Sequence, residues 1–462
     1  MRWALVFAAV ATLSALAMWG FTVDDALISI RYARHLAAGV GYRFNPAGPS
    51  TDGVTPLPWP FLIAPLARAP AMTVLVRVKA MDLLLHAGAG ALLGRCASRT
   101  NRIAALTALA AVAVCLPLAA WGASGMETPL ATLLGTMCVF CMESPWAPVF
   151  AGLAAAVRPE LLPWATAASC GLALARRARP GGVIGATLVA AAPFAACALA
   201  RRVAFGHFAP LAVLAKPSDP THGAVYAIAG LAACGLPVFL LAPRALVKIP
   251  PAHRALAVAF GVHVLAIVLA GGDSMPYARL FVPVLPSVLA IHMQIAHISR
   301  GPLFWLRTCA AVGLAAWVFA SAGPRGRHVM SEREDLIGRA RPVLAGAKTI
   351  AAVDVGWVSA CADVAIVDLA GLTDPDIAAL PGGHTSKRVS GAMLLDRHVD
   401  AIVLWTTALP DEWGHVVAAR LARDPLVREH YSVAAELPLG STGAGYVVFR
   451  PAARASPDAP SR

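Results

Sequence analysis

The sequence predicts an all-α polytopic membrane protein with a small C-terminal α/β domain outside the membrane. Of its 462 residues, 58% are hydrophobic and only 14% are charged, whereas soluble globular domains carry about 25% charged residues. Apolar runs recur throughout residues 1–322, and several approach the roughly 20 residues that a membrane-spanning helix needs. From Gly323 onward the composition is that of a soluble domain. We therefore expect about eleven transmembrane helices, followed by an extracytoplasmic domain over residues 323–450.

The apolar runs define the expected spans. The first run could be a signal peptide, since Ala15-Leu16-Ala17 resembles a cleavage site, but its apolar character continues through Trp19 and favours a retained helix. Residues 55–68 are interrupted by four prolines, so we expect an interfacial or re-entrant segment there. The expected spans lie near 3–20, 72–94, 103–122, 128–142, 145–157, 161–175, 182–200, 223–242, 255–270, 278–296 and 303–322.

The cations indicate which loops lie on which side of the membrane. Lys and Arg in short loops concentrate on the cytoplasmic side, and with the N-terminus inside, the loops that carry polar motifs fall on the opposite, outer face. We expect a multi-pass protein of the bacterial inner (cytoplasmic) membrane. Because most of the net charge of +13 serves this topology, nucleic acid is not an expected partner. The predicted cytoplasmic loops contain Arg95, Arg99, Arg102, Arg176, Arg177, Arg179, Arg244, Lys248, Arg254 and Arg300.

The C-terminal part alternates strand-like and turn-like segments. A charged helix is expected to begin soon after Gly323, and four apolar stretches flanked by turn residues predict buried strands. The last dozen residues, 451–462, are predicted to be a disordered tail. The predicted strands lie within 349–358, 364–371, 399–406 and 445–450.

Nine cysteines are present, and all but Cys361 lie in or beside apolar runs, where cysteine usually packs as a small hydrophobic residue. Cys138 and Cys141 form a single CxxC inside such a run, which we interpret as packing. The sequence therefore predicts neither a disulfide framework nor a structural zinc site.

Two adjacent carboxylates, Asp24 and Asp25, follow the first apolar run and open the predicted outer loop 21–71. Charged residues this close to a membrane span are costly and are usually retained for function. Mutual repulsion makes one of two neighbouring carboxylates hold a proton more readily, which suits it to act as a general base. The alternative is a helix N-cap and a neighbour that complements the helix dipole. Along an extended chain, only one of the two would face a pocket.

Six motifs occur in order along the chain. The first outer loop reads DDALISIRYARHLAAGVGYRFNPAGPSTDGVTPLPW, and the others are SGMETPL (124–130), RPELL (158–162), the weaker stretch 206–216, GGDSMPYARLFVPVLP (271–286) and the segment 354–378. Together they resemble the C superfamily of glycosyltransferases, which use polyprenyl-phosphate sugars, and most closely its bacterial terminal arabinofuranosyltransferase type. The sequence departs from that pattern at His35, Asp52, Pro58 and Leu211.

The resemblance implies a fold of many transmembrane helices and a transfer reaction on the outer face. The donor would be a polyprenyl-phosphate sugar, and the acceptor a cell-envelope glycan or lipid. It points to Asp24 or Asp25 as the catalytic base. Arginine suits phosphate recognition, so the donor-phosphate candidates are Arg31, Arg158, Lys216 and Arg279. The candidates for substrate binding are Tyr32, Glu127, Glu160, His207 and Asp273.

Plainer roles remain open for several of these residues. Arg158 at a helix end could snorkel to the membrane interface, and Glu160 could serve only to pair with Arg158. His207 could be incidental in its loop. No cofactor is certain, and a divalent metal ion bridged by Asp24 and a second acid is a further alternative.

Two other functions compete with glycosyl transfer. A transporter or flippase of lipid-linked sugars is expected to contain inverted repeats and ionisable residues near the membrane midplane, and Lys79 and Asp82 in the second predicted span favour it. A structural or assembly subunit would give no reason for polar motifs to collect on one face. The sequence leaves open the sugar, the acceptor, the linkage, the oligomeric state and which of Asp24 and Asp25 acts.

Overall fold

The computed structural model describes residues 1–216, 218–299, 301–440 and 443–452. These residues form two units. The helical unit comprises residues 1–33, 55–208 and 218–330, and the sheet unit comprises 34–54, 209–217 and 331–462, as far as each is described. Arg300 and most of the predicted tail, residues 453–462, lie outside the described residues.

The first part of the chain is helical, with 3₁₀ turns at Ala64–Leu66, Pro159–Leu161, Leu236–Leu240 and Arg279–Val284. Proline stands in the first two positions of many of these helices, where its missing N–H costs nothing. The α-helices are α1 (Arg2–Ala17), α2 (Asp24–Ala37), α3 (Trp59–Ile63), α4 (Ala71–Ala97), α5 (Arg102–Val114), α6 (Leu116–Trp121), α7 (Thr128–Phe140), α8 (Ala147–Val157), α9 (Leu162–Ala175), α10 (Pro180–Phe205), α11 (Leu211–Leu214), α12 (Pro220–Cys234), α13 (Pro243–Leu246), α14 (Pro251–Ala270), α15 (Leu285–Ile298) and α16 (Pro302–Gly326).

Four helical segments among the described residues are long and apolar enough to cross a bilayer, and a bent pair would make a fifth. The segments are Pro180–Phe205, Pro251–Ala270, Arg279–Ile298 and Pro302–Leu344. The bent pair joins Trp59–Leu66 to Ala71–Ala97 at 109°, the geometry of a broken span or a re-entrant loop. The chain is thus a largely helical protein with membrane-capable helices, but the count of about eleven spans is not confirmed.

Several predicted spans fold as helices too short to meet that criterion. The runs predicted at 3–20, 128–142 and 145–157 become α1, α7 and α8, with 16, 13 and 11 residues. The run at 103–122 is broken at Cys115, between α5 and α6, because Pro117 has no N–H to continue the helical ladder. Counting apolar residues does not register such breaks.

The sheet unit is built on a mixed sheet of six strands within the described residues. The strand order is β2-β1-β3-β6-β5, with β4 paired to β3; β1 is parallel to β2 and β3, while β6 is antiparallel to β3 and β5. A core of buried aliphatic side chains, among them Ile402, Leu404 and Leu421, packs in this unit. Its strands are β1 (Thr349–Ala352), β2 (Ala365–Asp368), β3 (Ala401–Ala408), β4 (Glu412–Trp413), β5 (Tyr431–Pro438) and β6 (Gly445–Pro451), and its other helices are α17 (Val329–Leu344), α18 (Val355–Cys361), α19 (Pro375–Ala378), α20 (Gly391–Asp396), α21 (Val416–Arg423) and α22 (Pro425–His430).

Two predictions for the C-terminal part need correction, one for a strand and one for the tail. The stretch 349–358 is a strand only as far as Ala352, and α18 begins at Val355. The predicted tail was placed to start at Pro451, but this residue ends β6 and pairs with Tyr431. Beyond Ala452 the tail stays a prediction.

Two segments from the predicted membrane part belong to the sheet unit. Residues 34–54 are attached to β2 by the amide of Asn45, which donates to the Ile366 carbonyl at 2.8 Å and accepts from the Ile366 N–H at 2.9 Å. Asn45 thus pairs with the edge of β2 as a neighbouring strand would. The Leu211 N–H donates to the Asp52 carbonyl at 3.1 Å and so joins residues 209–217 to the same segment.

Candidate active site

The acidic pair lies at the start of a helix. Asp24 and Asp25 are the first two residues of α2, and both are half-buried. The expectation of an extended chain here is wrong. Successive side chains of a helix point about 100° apart. The prediction that only one of the two acids faces a given pocket is therefore kept, but its basis is now the helix geometry. Carboxylates in a first turn also interact favourably with the helix dipole.

The chain just before the pair is bonded to the SGMETP loop. Thr22 donates its hydroxyl hydrogen to the Ser124 carbonyl at 2.9 Å, and the Phe21 ring meets the Trp121 ring edge-on at 5.2 Å between centroids. Thr22 precedes Asp24 by two residues, and Ser124 precedes Glu127 by three. Two motifs about a hundred positions apart in sequence are therefore neighbours in the helical unit.

Glu127, Arg158 and Glu160 form a buried ionic cluster. Nη1 of Arg158 donates to Oε1 of Glu127 at 2.6 Å, and Nε donates to Oε1 of Glu160 at 2.5 Å. Arg158 is 3% exposed and Glu127 is fully buried. Oε2 of Glu127 has no hydrogen-bond partner among the described residues. The cluster bonds the residue preceding α7 to the turn between α8 and α9.

Asp273 and Arg279 form a second pair in the GGDSM motif. Nη2 and Nε of Arg279 both donate to Oδ2 of Asp273, at 2.7 and 2.8 Å. The guanidinium also lies 5.6 Å from the centre of the Trp121 ring, within range of a cation–π interaction. The Trp121 indole N–H is directed to the Pro276 and Tyr277 carbonyls, at 3.3 and 3.1 Å. Trp121 therefore contacts both the segment before the acidic pair and the Arg279 loop.

The backbone before Arg279 adopts an uncommon conformation. Tyr277 and Ala278 have φ values of +55° and +50°, in the left-handed region that non-glycine residues seldom occupy. Each such residue costs of order 1–3 kcal/mol, and this kind of strain clusters at functional sites. The Tyr277 hydroxyl donates to the Ala322 carbonyl at 3.0 Å and helps to hold this turn.

The two ionic groups are close enough to interact. The charge of Asp273 interacts with the guanidinium of Arg158. The charges of Asp273, Arg279 and Arg158 all interact with the hydroxyl group of Tyr226. The Tyr226 hydroxyl accepts the Leu280 N–H at 3.2 Å, which places it beside the Arg279 turn. We refer to Asp24, Asp25, Glu127, Arg158, Glu160, Asp273 and Arg279, with the loops that carry them, as the acidic cluster.

The other predicted site residues have different surroundings. Arg31 and Tyr32 are buried in α2, at 1% and 0% exposure. His207 is half-buried and stacks near Phe205, with 6.2 Å between ring centroids. Lys216 follows α11 and belongs to the sheet unit, so it is not among the residues that the helical unit brings together.

Three residues that the motifs did not mark are part of these contacts: Lys79, Trp121 and Tyr226. Trp121 and Tyr226 lie in apolar runs, where an aromatic residue predicts packing or an interface. The sequence did indicate that Lys79 is unusual, because a lysine inside a membrane span needs a partner. It does not show that the partners are backbone carbonyls.

No group of three or more His, Cys, Asp or Glu side chains is arranged to hold a metal ion in the described part of the chain. The metal ion bridging Asp24 and a second acid stays a hypothesis. All nine cysteines are free thiols, Cys138 and Cys141 included.

Comparisons with known proteins give two likenesses. A family model described as a domain of unknown function (DUF8728) matches residues 336–450, within the sheet unit. A solved structure, the arabinofuranosyltransferase AftD from mycobacteria, is 16% identical with a TM-score of 0.45, over 98% of this chain and 40% of that one. The chain thus spans about two fifths of the length of that protein. Among curated proteins no match was found.

Proposed function

We propose that this chain is an integral membrane glycosyltransferase. It moves a sugar, with a pentofuranose such as arabinofuranose as the first candidate, from a polyprenyl-phosphate donor to a cell-envelope glycan or lipid. The observation that carries the proposal is the acidic cluster: the motifs that resemble C-superfamily enzymes supply its charged residues, and Thr22, Arg158 and Trp121 join their loops in the helical unit. On the topology that the sequence predicts, the reaction takes place on the outer face of the inner membrane.

The chemistry needs a base and a cation. One of Asp24 and Asp25 takes the proton of the acceptor hydroxyl as its oxygen bonds to the anomeric carbon. The bond from that carbon to the phosphate oxygen breaks, and polyprenyl phosphate leaves with the electron pair. A nearby arginine stabilises the charge that develops on the leaving phosphate. Half-burial of the acids restricts the water that would compete with the acceptor.

Arg279 is a better candidate than Arg158 for binding the donor phosphate. Arg158 is 3% exposed and is paired with two carboxylates, so an incoming phosphate would have to displace both. Arg279 is 11% exposed and, among the described residues, forms an ion pair with one carboxylate, that of Asp273. Because the cost of displacing a buried carboxylate rises with each pair broken, we assign donor binding to Arg279 and a structural role to Arg158. Arg31 and Lys216 stay candidates from the motif resemblance.

The transporter alternative is weakened by the residues that favoured it. Lys79 donates to two backbone carbonyls, and Asp82 accepts a backbone N–H from Gly125 at 2.8 Å. Both are therefore engaged with loops of the helical unit, which gives them a role that transport does not require.

Mass spectrometry of cell-envelope glycans tests the proposal. Cells that carry Asp24→Asn, Asp25→Asn or the double change are compared with wild type, with protein amounts matched by immunoblot. Asparagine has nearly the same size as aspartate, so the change removes the negative charge and keeps the volume of the side chain. The matched control is Asp219→Asn, since Asp219 caps α12 by accepting from Thr221 N–H at 3.0 Å and His222 N–H at 3.1 Å.

We expect a terminal sugar to be missing in at least one of the acidic-pair variants and present in the control. The missing residue would identify the transferred sugar and its linkage. A normal glycan profile in the double variant would refute the assignment of the base.

A further inference from the structure

A buried lysine connects the segment before the acidic pair to the loop before Glu127. Lys79 lies within α4 and is fully buried. Its ammonium donates to the Phe21 carbonyl and to the Ala123 carbonyl, both at 2.6 Å. It also lies 5.1 Å from the centre of the Trp19 ring. A single side chain thus bridges two segments that are about a hundred residues apart in sequence.

Asp82 holds the same loop one helical turn further along α4. Residues three apart on a helix lie on one face, and the Asp82 carboxylate accepts the Gly125 N–H at 2.8 Å. Gly125 has φ = +86°, and a Cβ there would lie 2.5 Å from Cδ1 of Leu75. The loop therefore passes close against α4, at a position that only glycine fits.

These contacts set the spacing between the acids on the two loops. Phe21 precedes Asp24 by three residues, and Ala123 precedes Glu127 by four. The Thr22–Ser124 hydrogen bond lies one residue beyond each of the two lysine contacts and joins the two segments directly. With both carbonyls bonded to one ammonium, the two acidic segments cannot separate unless a buried charge loses a partner.

Such an arrangement is costly if it serves stability alone. A buried ammonium must be fully hydrogen-bonded to be tolerated, and apolar residues of similar volume often replace buried charges without loss of stability. The ammonium provides what an apolar side chain cannot: its hydrogen bonds fix the positions of two backbone carbonyls at once. Enzymes need this kind of supporting contact around a reacting group, since misplacement by about 1 Å can lower the rate 100-fold.

We propose that Lys79 is a positioning residue, which sets the acidic pair and Glu127 at the separation that sugar transfer requires. The inference rests on the proposed function. Lys79 contacts no substrate in this account and acts through the backbone of Phe21 and Ala123.

The test compares two buried lysines in the full-length protein. Lys79→Met removes the ammonium and keeps the length of the side chain. Lys387→Met is the matched control, because Lys387 is 2% exposed and also donates to two carbonyls, those of Ala378 at 2.7 Å and Leu380 at 2.9 Å, in the sheet unit. Transfer is measured in nanodiscs with a synthetic short-chain polyprenyl-phosphate arabinofuranose, per amount of folded protein.

For Lys79→Met we expect kcat to fall about 10- to 100-fold, with KM for the donor changed less than about 3-fold, because donor binding is assigned to Arg279. Lys387→Met should leave both constants near wild type. Hydrogen–deuterium exchange, which needs no activity, should be faster at residues 19–26 and 121–128 in Lys79→Met and unchanged there in the control. If Lys79→Met does not fold, Thr22→Val is used instead. This change removes the hydrogen bond to the Ser124 carbonyl, which joins the same two segments, and it leaves no buried charge without a partner.

Two results separate the inference from the function it rests on. Full turnover in Lys79→Met, with turnover lost in Asp24→Asn and Asp25→Asn together, would overturn the positioning role and leave the proposed function in place. Full turnover in the Asp24/Asp25 double variant would refute only the assignment of the base, whereas a wild-type protein that transfers no sugar in cells or in nanodiscs would overturn the proposed function. Unchanged exchange at both segments in Lys79→Met and Thr22→Val would overturn the positioning role in either case.

Discussion

At the scale of single residues, the partners of Arg158 determine what it can do. Its guanidinium is almost inaccessible and is shared by Glu127 and Glu160. Two carboxylates around one cation leave the group with a net negative charge, which disfavours a phosphate. A buried ion pair contributes little net stability, but breaking it strands a charge. The role of Arg158 is therefore better explained as structural: its ion pairs connect the start of α7 to the turn between α8 and α9.

The first prediction follows from that asymmetry. Arg158→Met should destabilise the full-length protein by about 3–5 kcal/mol, because Glu127 is left buried without its cation. Adding Glu127→Gln removes the stranded charge, so the double variant should recover part of the loss. Thermal unfolding in detergent measures both. An Arg158→Met protein as stable as wild type, or a double variant less stable than the single one, would contradict this account.

Asp368 in the sheet unit carries the second prediction, which concerns pH. Burial raises the pKa of its carboxyl to about 7 from 3.8, although Ala370 N–H, Thr373 N–H and the Thr373 hydroxyl all donate to it, at 2.9, 2.7 and 3.0 Å. The folded state therefore holds this proton more tightly than the unfolded chain. The resulting stabilisation is fully present below about pH 4 and is lost as the pH rises to 7, by about 4 kcal/mol over the interval.

The change Asp368→Asn isolates this effect, since asparagine does not titrate. Between pH 4.5 and 8, the melting temperature of wild type should fall more steeply than that of Asp368→Asn. The control is Asp424→Asn, whose carboxylate is half-buried and accepts N–H bonds from Leu426 at 2.9 Å and Gly391 at 2.8 Å. The fall in melting temperature with rising pH should persist in the control, because the control keeps the Asp368 carboxyl. Parallel curves for wild type and Asp368→Asn would rule out the buried carboxyl as their cause.

At the scale of elements, the sequence predicts those strands whose apolar residues are continuous. The stretches around β2 and β3 contain runs of Val, Ile and Leu, and β6 contains a run of Tyr, Val and Phe, as buried strands require. β5 was not predicted because it lies at an edge of the sheet, most of its side chains are exposed, and a register shift near Val433 interrupts its alternation. The strand predicted within 349–358 ends at Ala352, because α18 begins at Val355 inside the same apolar stretch.

The packing of α1 on α4 gives the third prediction. A Cβ at Gly94 would lie 2.3 Å from the Trp3 carbonyl oxygen, and one at Gly90 would lie 2.8 Å from that of Phe7. Small residues let helix backbones approach closely in membranes. Gly94→Val should therefore separate the helices and lower the melting temperature markedly. Gly185→Val in α10 is the matched control, because nothing lies within 4 Å of its Cβ position.

Both variants add the same side chain to a long apolar helix, so they share any change in helix propensity, which favours valine over glycine by about a few tenths of a kcal/mol. The difference between their melting temperatures in detergent therefore measures the clash at α1. Equal melting temperatures would show that α1 does not approach α4 as closely as the structure has it.

At the scale of the whole molecule, the sequence predicts which loops carry charged motifs better than it predicts what joins them. Asp24, Glu127, Arg158, Asp273 and Arg279 were all identified by motif, and the helical unit connects the loops that carry them. The connecting residues were out of reach, because Trp121 and Tyr226 look like ordinary apolar positions. The Asn45 motif residue was assigned to the membrane part, but its amide pairs with β2 of the sheet unit. Such hydrogen bonds between distant positions depend on the folded chain.

The fourth prediction concerns the sidedness of the membrane protein. Because Thr22 is hydrogen-bonded to Ser124, and the Arg279 turn is bonded to Trp121, the acidic-pair segment and the 271–279 loop must share one side of the bilayer. The arginine-rich loops should lie on the other side by the positive-inside rule. Single cysteines are introduced into a cysteine-free background at Thr221 and Ser274 for the first side and at Ser98 and Arg177 for the second, all of them exposed positions.

A membrane-impermeant maleimide applied to intact spheroplasts should label position 221 and position 274, and should label positions 98 and 177 only after permeabilisation. The reason is electrostatic: each cation retained in the cytoplasm avoids translocation against the membrane potential, at about 2.3 kcal/mol per charge per 100 mV. Labelling of position 98 or 177 from outside would reverse the topology and place the acidic cluster in the cytoplasm, where a lipid-linked donor on the outer leaflet could not reach it. Labelling of 274 without 221 would instead place the two ends of α12–α14 on opposite sides and break the predicted order of spans.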